Sequence, residues 1–170
     1  QLKSLLDAFE KQYATIADDD AKMQIAIAER KALAEASLAA NISVSPLLGE
    51  IAWGQDTPFN DQCPLIGDTR AVTGCVATAM AQLIRYHQYP SQLQADIPGY
   101  TTKSSITLPA ISTSEAVYEY EKMLPKYVTG LYTDEQGAAV AKLLYHCGCS
   151  VMMEYGVSGS GAVTKSVAAV

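Results

Sequence analysis

Residues 73–90 read TGCVATAMAQLIRYHQYP and place a cysteine, Cys75, at what reads as the first turn of a helix. Val76, Met80, Leu83 and Ile84, with Tyr86 nearby, recur at helical spacing as an apolar face, and Pro90 closes the segment. Thr73 and Gly74 suit the lead-in turn, because glycine tolerates backbone angles that other residues resist. A sulfur at a helix N-terminus lies at the positive end of the peptide dipoles. That field favours the thiolate, the reactive form of cysteine. The alternative is a cysteine that packs as a small apolar residue, as most free cysteines do.

Composition limits the choice of function. A chain of 170 residues is long enough to bury a core and fits one domain or most of one. With 49% hydrophobic and 18% charged residues it is not a disordered chain. A net charge of −6 without any basic run argues against a nucleic-acid partner. No apolar run reaches the roughly 18 residues of a membrane span, so no membrane partner is expected. Gln1 opens no signal-like stretch, and any targeting sequence is expected to have been removed or to lie outside this chain.

The four cysteines, at 63, 75, 147 and 149, are too sparse for a disulfide scaffold. Cys147 and Cys149 are spaced as two metal ligands can be, but Cys63, Cys75, His87 and His146 supply no second local pair. Neither a metal nor a cofactor is expected. The plainer reading of Cys147 and Cys149 is a helix end followed by a strand, with both sulfurs packed inside.

Reading outward, the first forty residues differ from the rest. KSLLDAFEKQY and DDDAKMQIAIAERKALAEASLAA are rich in Ala, Leu, Glu and Lys and lack Cys, Trp, Gly and Pro. They predict helices near 2–14 and 19–38, the second led by Asp18, Asp19 and Asp20 where a helix N-terminus favours negative charge. From Asn41 the stretch NISVSPLLGEIAWGQDTPFNDQCP brings turn residues, three prolines and the only Trp, so a boundary is expected near 40–43. Past the cysteine helix, residues 91–114 read as an exposed, turn-rich excursion and residues 114–130 as an aromatic segment turning at Pro125. Thr133 and Gln136 predict a capping box for a helix through His146 that Gly148 ends. CSVMMEYG, residues 149–156, then reads as a buried strand, and residues 157–170 as a Gly/Ser loop leading into another helix.

A cysteine nucleophile needs a base, donors for an oxyanion and a groove for the substrate. His87 lies twelve residues beyond Cys75, about 18 Å along a continuous helix, and cannot be the base. His146 stands near the end of another helix, where it would meet terminal carbonyls or pack. The chain therefore offers no convincing imidazole. Gln55, in WGQDTPFN twenty residues before the cysteine, is a candidate oxyanion donor alongside the Cys75 backbone N–H; on spacing alone it also reads as an ordinary loop residue.

Taken together, WGQDTPFN, TGCVATAMAQLIRYHQYP and MEYGVSGSG resemble the streptopain family of bacterial cysteine peptidases, from about Val44 to Val170. The resemblance implies an α+β, papain-like fold. Residues 41–170 would be the N-terminal half of the peptidase domain, mainly the helical subdomain with the start of the second, and residues 1–40 the end of a helical propeptide. It makes Cys75 the nucleophile and Gln55 the oxyanion-hole glutamine, and it sets Ser158, Gly159, Ser160 and Gly161 along the substrate cleft, with Ser160 the best match. The family's catalytic His falls beyond Val170, in a C-terminal half carried on the same precursor or on a second chain. Family members are secreted as zymogens, which implies an extracellular or periplasmic thiol protease, with virulence among its uses, acting on protein or peptide substrates. Two rivals remain: a non-catalytic peptide-binding module of peptidase-like fold, and a zymogen or inhibitory fragment in which residues 1–40 matter most.

Overall fold

A computed structural model of the chain describes residues 24–25, 27–32 and 45–163. The chain divides into two compact units, Gln1–Ser45 and Pro46–Val170. In the first, residues 24–25 and 27–32 are helical and exposed, inside the helix expected over 19–38. The helix expected near 2–14, the Asp18–Asp20 run, the junction at 40–43 and the helix expected after Val163 lie outside the described residues.

Among its described residues the second unit mixes two long helices with two small antiparallel hairpins, the α+β arrangement that the resemblance implies. In chain order these are β1 (Leu65–Ile66), β2 (Thr69–Arg70), α1 (Cys75–His87), β3 (Tyr100–Thr101), β4 (Thr107–Leu108) and α2 (Asp134–Ser150), with 3-10 turns at Thr113–Glu115 and Tyr120–Lys122. β1 pairs with β2 through Leu65–Arg70 and Ile66–Thr69, and β3 with β4 through Tyr100–Leu108 and Thr101–Thr107.

Helices α1 and α2 pack on each other and frame the core. The buried stripe of α1 is Ala77, Thr78 and Ala81 rather than the larger apolar residues. Val76, Met80 and Ile84 are only partly buried, while Leu83 and Tyr86 of the expected apolar face are exposed. Small side chains let two backbones approach closely, and that selects the Ala/Thr stripe over the bulkier one beside it. Helix α2 opens on the expected capping box: the Thr133 hydroxyl accepts from Gln136 N–H and the Gln136 side chain accepts from Thr133 N–H. Such a cap contributes about 1 kcal/mol. Val140, Leu143 and Leu144 then lie in the core at 0–1% exposure.

The far end of α2 corrects the sequence reading. Gly148 does not end the helix, and Cys149 and Ser150 belong to it rather than to a strand. A Cβ at Gly148 would stand 2.3 Å from the Tyr155 hydroxyl, so glycine is there to admit a neighbouring side chain. The helix runs on to Ser150, and the chain then breaks away at Met152, whose φ of 53° is left-handed. Met152 N–H donates to Cys149 O and Met153 N–H donates to Gly148 O, the paired bonds of a Schellman end. Because a methionine takes the position that glycine usually holds, composition pointed to the wrong residue. Residues 149–156 make only one strand-like contact, an isolated bridge between Glu154 and Gly161.

Residues 91–114 are also more than an excursion. Most of their Thr and Ser residues are exposed, yet Ile97, Leu108 and Ile111 are buried, and Ile97 and Ile111 exchange both backbone hydrogen bonds at 2.9 Å. The Tyr100 hydroxyl donates to Met153 O at 2.8 Å, and the Glu154 carboxylate accepts from Lys103 N–H, Ser104 N–H and the Ser104 hydroxyl. The hairpin thus braces the loop that follows α2.

Candidate active site

The extended residues Ala71–Thr73 lead into α1 and bond alternately to two loops. On one side, Ala71 N–H donates to Pro64 O (3.0 Å), Thr73 N–H to Gln55 O (3.2 Å), and the Asn60 amide to Ala71 O (3.0 Å). On the other, Val72 N–H donates to Gly156 O (3.1 Å) and Val72 O accepts from the Ser160 hydroxyl (2.6 Å). Successive residues of an extended chain point their backbone groups in opposite directions, so three residues suffice to hold both loops. The structure thereby brings the Gln55 backbone and the Ser160 hydroxyl to the residues just before Cys75, on opposite sides.

Cys75 is the first residue of α1 and is exposed; Cys63, Cys147 and Cys149 are buried. Burial pushes the Cys63 and Cys147 thiols up to about 12 and the Cys149 thiol up to about 11. Those three thiols are packed in the core, where burial disfavours the thiolate. Cys147 and Cys149 are therefore core residues as expected, although both sit on a helix. Among the described residues, no group of three or more His, Cys, Asp or Glu side chains is placed to hold a metal ion.

The residue before Cys75 is special in its backbone. Gly74 has φ 86° and ψ 142°, a region essentially restricted to glycine. A Cβ there would lie 2.9 Å from Met153 Cε and Sδ and 2.9 Å from Ser160 O. The Schellman end of α2 thus delivers Met153, at 0% exposure, onto the turn that launches the cysteine.

Beneath that turn lies a buried hydroxyl pair: Thr73, read from the sequence only as suiting the turn, and Thr78, not singled out there. Thr78 donates from both N–H and Oγ1 to Gly74 O, each at 3.0 Å, and Thr73 Oγ1 lies 3.0 Å from Thr78 Oγ1. Thr73 is 0% exposed and Thr78 is 7% exposed. The signal was present, since Thr78 stands four residues after Gly74, the spacing at which a helical Thr bonds back to a carbonyl.

Gln55 is half-buried, in a loop anchored at its start by Trp53. Trp53 donates from its ring nitrogen to Leu124 O (2.9 Å) and from its backbone N–H to the Gln82 side chain on α1 (3.3 Å). In the 158–161 loop, Ser160 is built in, with its hydroxyl accepting from Gly156 N–H (3.0 Å). Ser158 and Gly159 are exposed, and Gly161 exchanges backbone bonds with Glu154.

Neither histidine joins this arrangement. His87 ends α1 and meets the Tyr86 ring edge-on at 5.0 Å. His146 is buried, with Nδ1 3.1 Å from the Tyr118 hydroxyl, and burial, helped by Lys142, pulls it down to about 4. It lines a cleft of about 520 Å³ with Met80, Ile84, Leu93, Ile97 and Tyr118, and neither Cys75 nor Gln55 borders that cleft.

Comparison with known proteins bears on what this arrangement is for. The profile of the peptidase C10 family matches residues 53–170. Streptopain of Streptococcus pyogenes is 32% identical over 135 residues, 69% of this chain and 33% of its own length. The thiol protease/hemagglutinin PrtT of Porphyromonas gingivalis is 28% identical over 168 residues, 94% of this chain and 19% of its own length. Among solved structures, active wild-type interpain A cysteine protease of Prevotella intermedia is 33% identical with a TM-score of 0.63, covering 71% of this chain and 50% of that one. A mutant prointerpain A fragment of the same organism is 32% identical with a TM-score of 0.63, covering 71% of this chain and 39% of that one. The chain spans about a third of the length of the streptopains it matches.

Proposed function

The chain belongs to the peptidase C10 family, and we propose that it is the nucleophile-bearing part of a cysteine endopeptidase. The observation that carries this reading is Cys75: the one exposed cysteine among four, at the start of α1, with the Gln55 and Ser160 loops bonded to the residues that precede it. The Cys75 thiolate attacks the carbonyl carbon of a peptide bond. The C–S bond forms as the carbonyl π pair moves onto oxygen, which the Cys75 N–H and the Gln55 side-chain amide receive. Collapse expels the amine, which takes a proton from an imidazolium, and water then releases the acyl group from sulfur. With His87 about 18 Å along α1 and His146 bonded to Tyr118, the imidazole comes from a further part of the protein, on the same precursor or a second chain. The 158–161 loop lines the substrate cleft, Ser160 as its fixed point and Ser158 and Gly159 as its accessible part.

Residues 1–40 are, on this reading, the end of a propeptide cut near Ala39–Ser43, and the enzyme is a secreted zymogen that works outside the cytoplasm. Pro46 supports an extended junction, because it biases Ser45 away from helix, and proteases bind extended chain.

A peptidyl epoxide applied to the full-length protein at neutral pH tests the reading. Mass mapping should find label on Cys75 and none on Cys63, Cys147 or Cys149. Cys75→Ala should abolish both peptide hydrolysis and cleavage near residue 40, as read by N-terminal sequencing. Label on a core cysteine with Cys75 unmodified, or a Cys75→Ala protein that hydrolyses peptides normally, would overturn it; a fully active form that still begins at Gln1 would remove the propeptide part.

A further inference from the structure

We infer that Thr78 is a positioning residue for catalysis: with Thr73 behind it, its hydroxyl fixes the Gly74–Cys75 peptide plane and so aims the Cys75 N–H at the oxyanion. A peptide group is planar and its C=O and N–H point in opposite directions, so whatever holds the carbonyl orients the amide. The Gly74 carbonyl is held twice from the same residue, by Thr78 N–H and by Thr78 Oγ1, each at 3.0 Å. The first bond is the ordinary helical one. The second is extra, and it needs a hydroxyl at this one position.

The direction of the chain of hydroxyls is forced. Thr78 has one hydroxyl proton and donates it to Gly74 O, so the 3.0 Å contact between the two Oγ1 atoms requires Thr73 to donate to Thr78. A hydroxyl that accepts one bond is polarised and donates a stronger one. Thr73 is fixed in turn, because its N–H donates to Gln55 O at 3.2 Å. The backbone of Gln55 and the Cys75 peptide therefore hang on one buried pair of threonines, 0% and 7% exposed. The arrangement also opposes a local weakness. Gly74 occupies a backbone region with no side chain to restrain it, and the turn lacks a side-chain N-cap bond. Without the second bond to its carbonyl, the plane before Cys75 can rock, and the oxyanion donor is the group displaced.

The inference rests on Cys75 being the nucleophile, and the test separates the two. In the full-length enzyme, Thr78→Val keeps the side-chain shape and removes the hydroxyl, while Thr78→Ser keeps the hydroxyl. Thr78→Val should lower kcat by roughly ten- to a hundredfold, the scale on which a misplaced oxyanion donor acts, with KM changed less than about twofold. A peptide aldehyde, which needs the same N–H for its tetrahedral adduct, should bind Thr78→Val more weakly by a similar factor. Alkylation of Cys75 by iodoacetamide forms no oxyanion and should stay within about twofold of wild type, and Thr78→Ser should recover most of kcat. A Thr78→Val enzyme with normal kcat refutes the inference. So does one in which kcat, alkylation and melting fall together and Ser restores none of them, since that is loss of structure alone. If Cys75→Ala hydrolyses peptides normally, the nucleophile reading itself has failed, whatever Thr78 does.

Discussion

Three glycines give a graded test of why the chain before Cys75 is built as it is. A methyl group added at Gly159 would meet nothing within 4 Å, and its φ is not left-handed; Gly67 has the same open space but φ 63°; Gly74 has φ 86° and three close neighbours. Gly159→Ala should therefore leave stability unchanged, and Gly67→Ala should cost about 1 kcal/mol for the left-handed backbone alone. Gly74→Ala carries two penalties. Its φ and ψ fall where only glycine is at ease, at about 1–3 kcal/mol. Its methyl also meets Met153 and the Ser160 carbonyl at 2.9 Å. The methionine end can swing aside, but Ser160 is tied through its hydroxyl to Val72 O and Gly156 N–H, so relief on that side breaks hydrogen bonds. Overpacking of this kind adds about 1–3 kcal/mol. A combined loss near 4 kcal/mol corresponds to a Tm about 15 °C lower for a unit of this size. Thermal melting of the three variants of the full-length protein, followed by near-UV circular dichroism, reads the series. A Gly74→Ala protein melting within about 3 °C of wild type, or no more affected than Gly67→Ala, would refute the account of this turn.

Two further outcomes follow from the geometry. Gln55→Ala should lower turnover by about a hundredfold while Cys75 alkylation stays nearly unchanged, because the amide serves the oxyanion rather than the sulfur; wild-type turnover in that variant would reduce Gln55 to a loop residue. His146 should make the fold acid-sensitive. Its folded value is pulled down to about 4 from 6.5, so between these pH values the unfolded chain binds a proton that the folded one refuses. Stability is then fully present above pH 6.5 and falls towards pH 4, by up to roughly 3 kcal/mol. Urea midpoints measured across that range should slope for the wild type and flatten for His146→Gln, and equal slopes would show that another group carries the effect.

The α+β class came from the family resemblance; the cysteine helix, the capping box of α2 and the prominence of Cys75 could be read from the order of amino acids. Each of these is encoded locally. An apolar period, a Thr-x-x-Gln cap and a glycine before a helix act within a few residues of where they stand, so spacing suffices to read them. Other features depend on residues distant in the chain and emerge only in the folded molecule. The buried stripe of α1 is Ala77–Thr78–Ala81 because α2 comes close, and no period along α1 alone distinguishes that stripe from the larger apolar one beside it. Gly148 lies within α2 because Tyr155 occupies the space of its missing Cβ, a reason invisible in a sequence where glycine ordinarily marks a helix end. Residues 91–114 look polar and exposed until the side chains of Ile97, Leu108 and Ile111 find a core made by other segments. The site follows the same division. Cys75 could be picked out by its own surroundings, whereas the joining of Gln55, Thr73, Thr78 and Ser160 around it rests on hydrogen bonds that span from 5 to 88 residues of chain. The hydroxyls of Thr73, Thr78 and Ser160 make most of those bonds, and apart from the local Gly74–Thr78 spacing the sequence holds no mark of which distant carbonyl or hydroxyl each will meet.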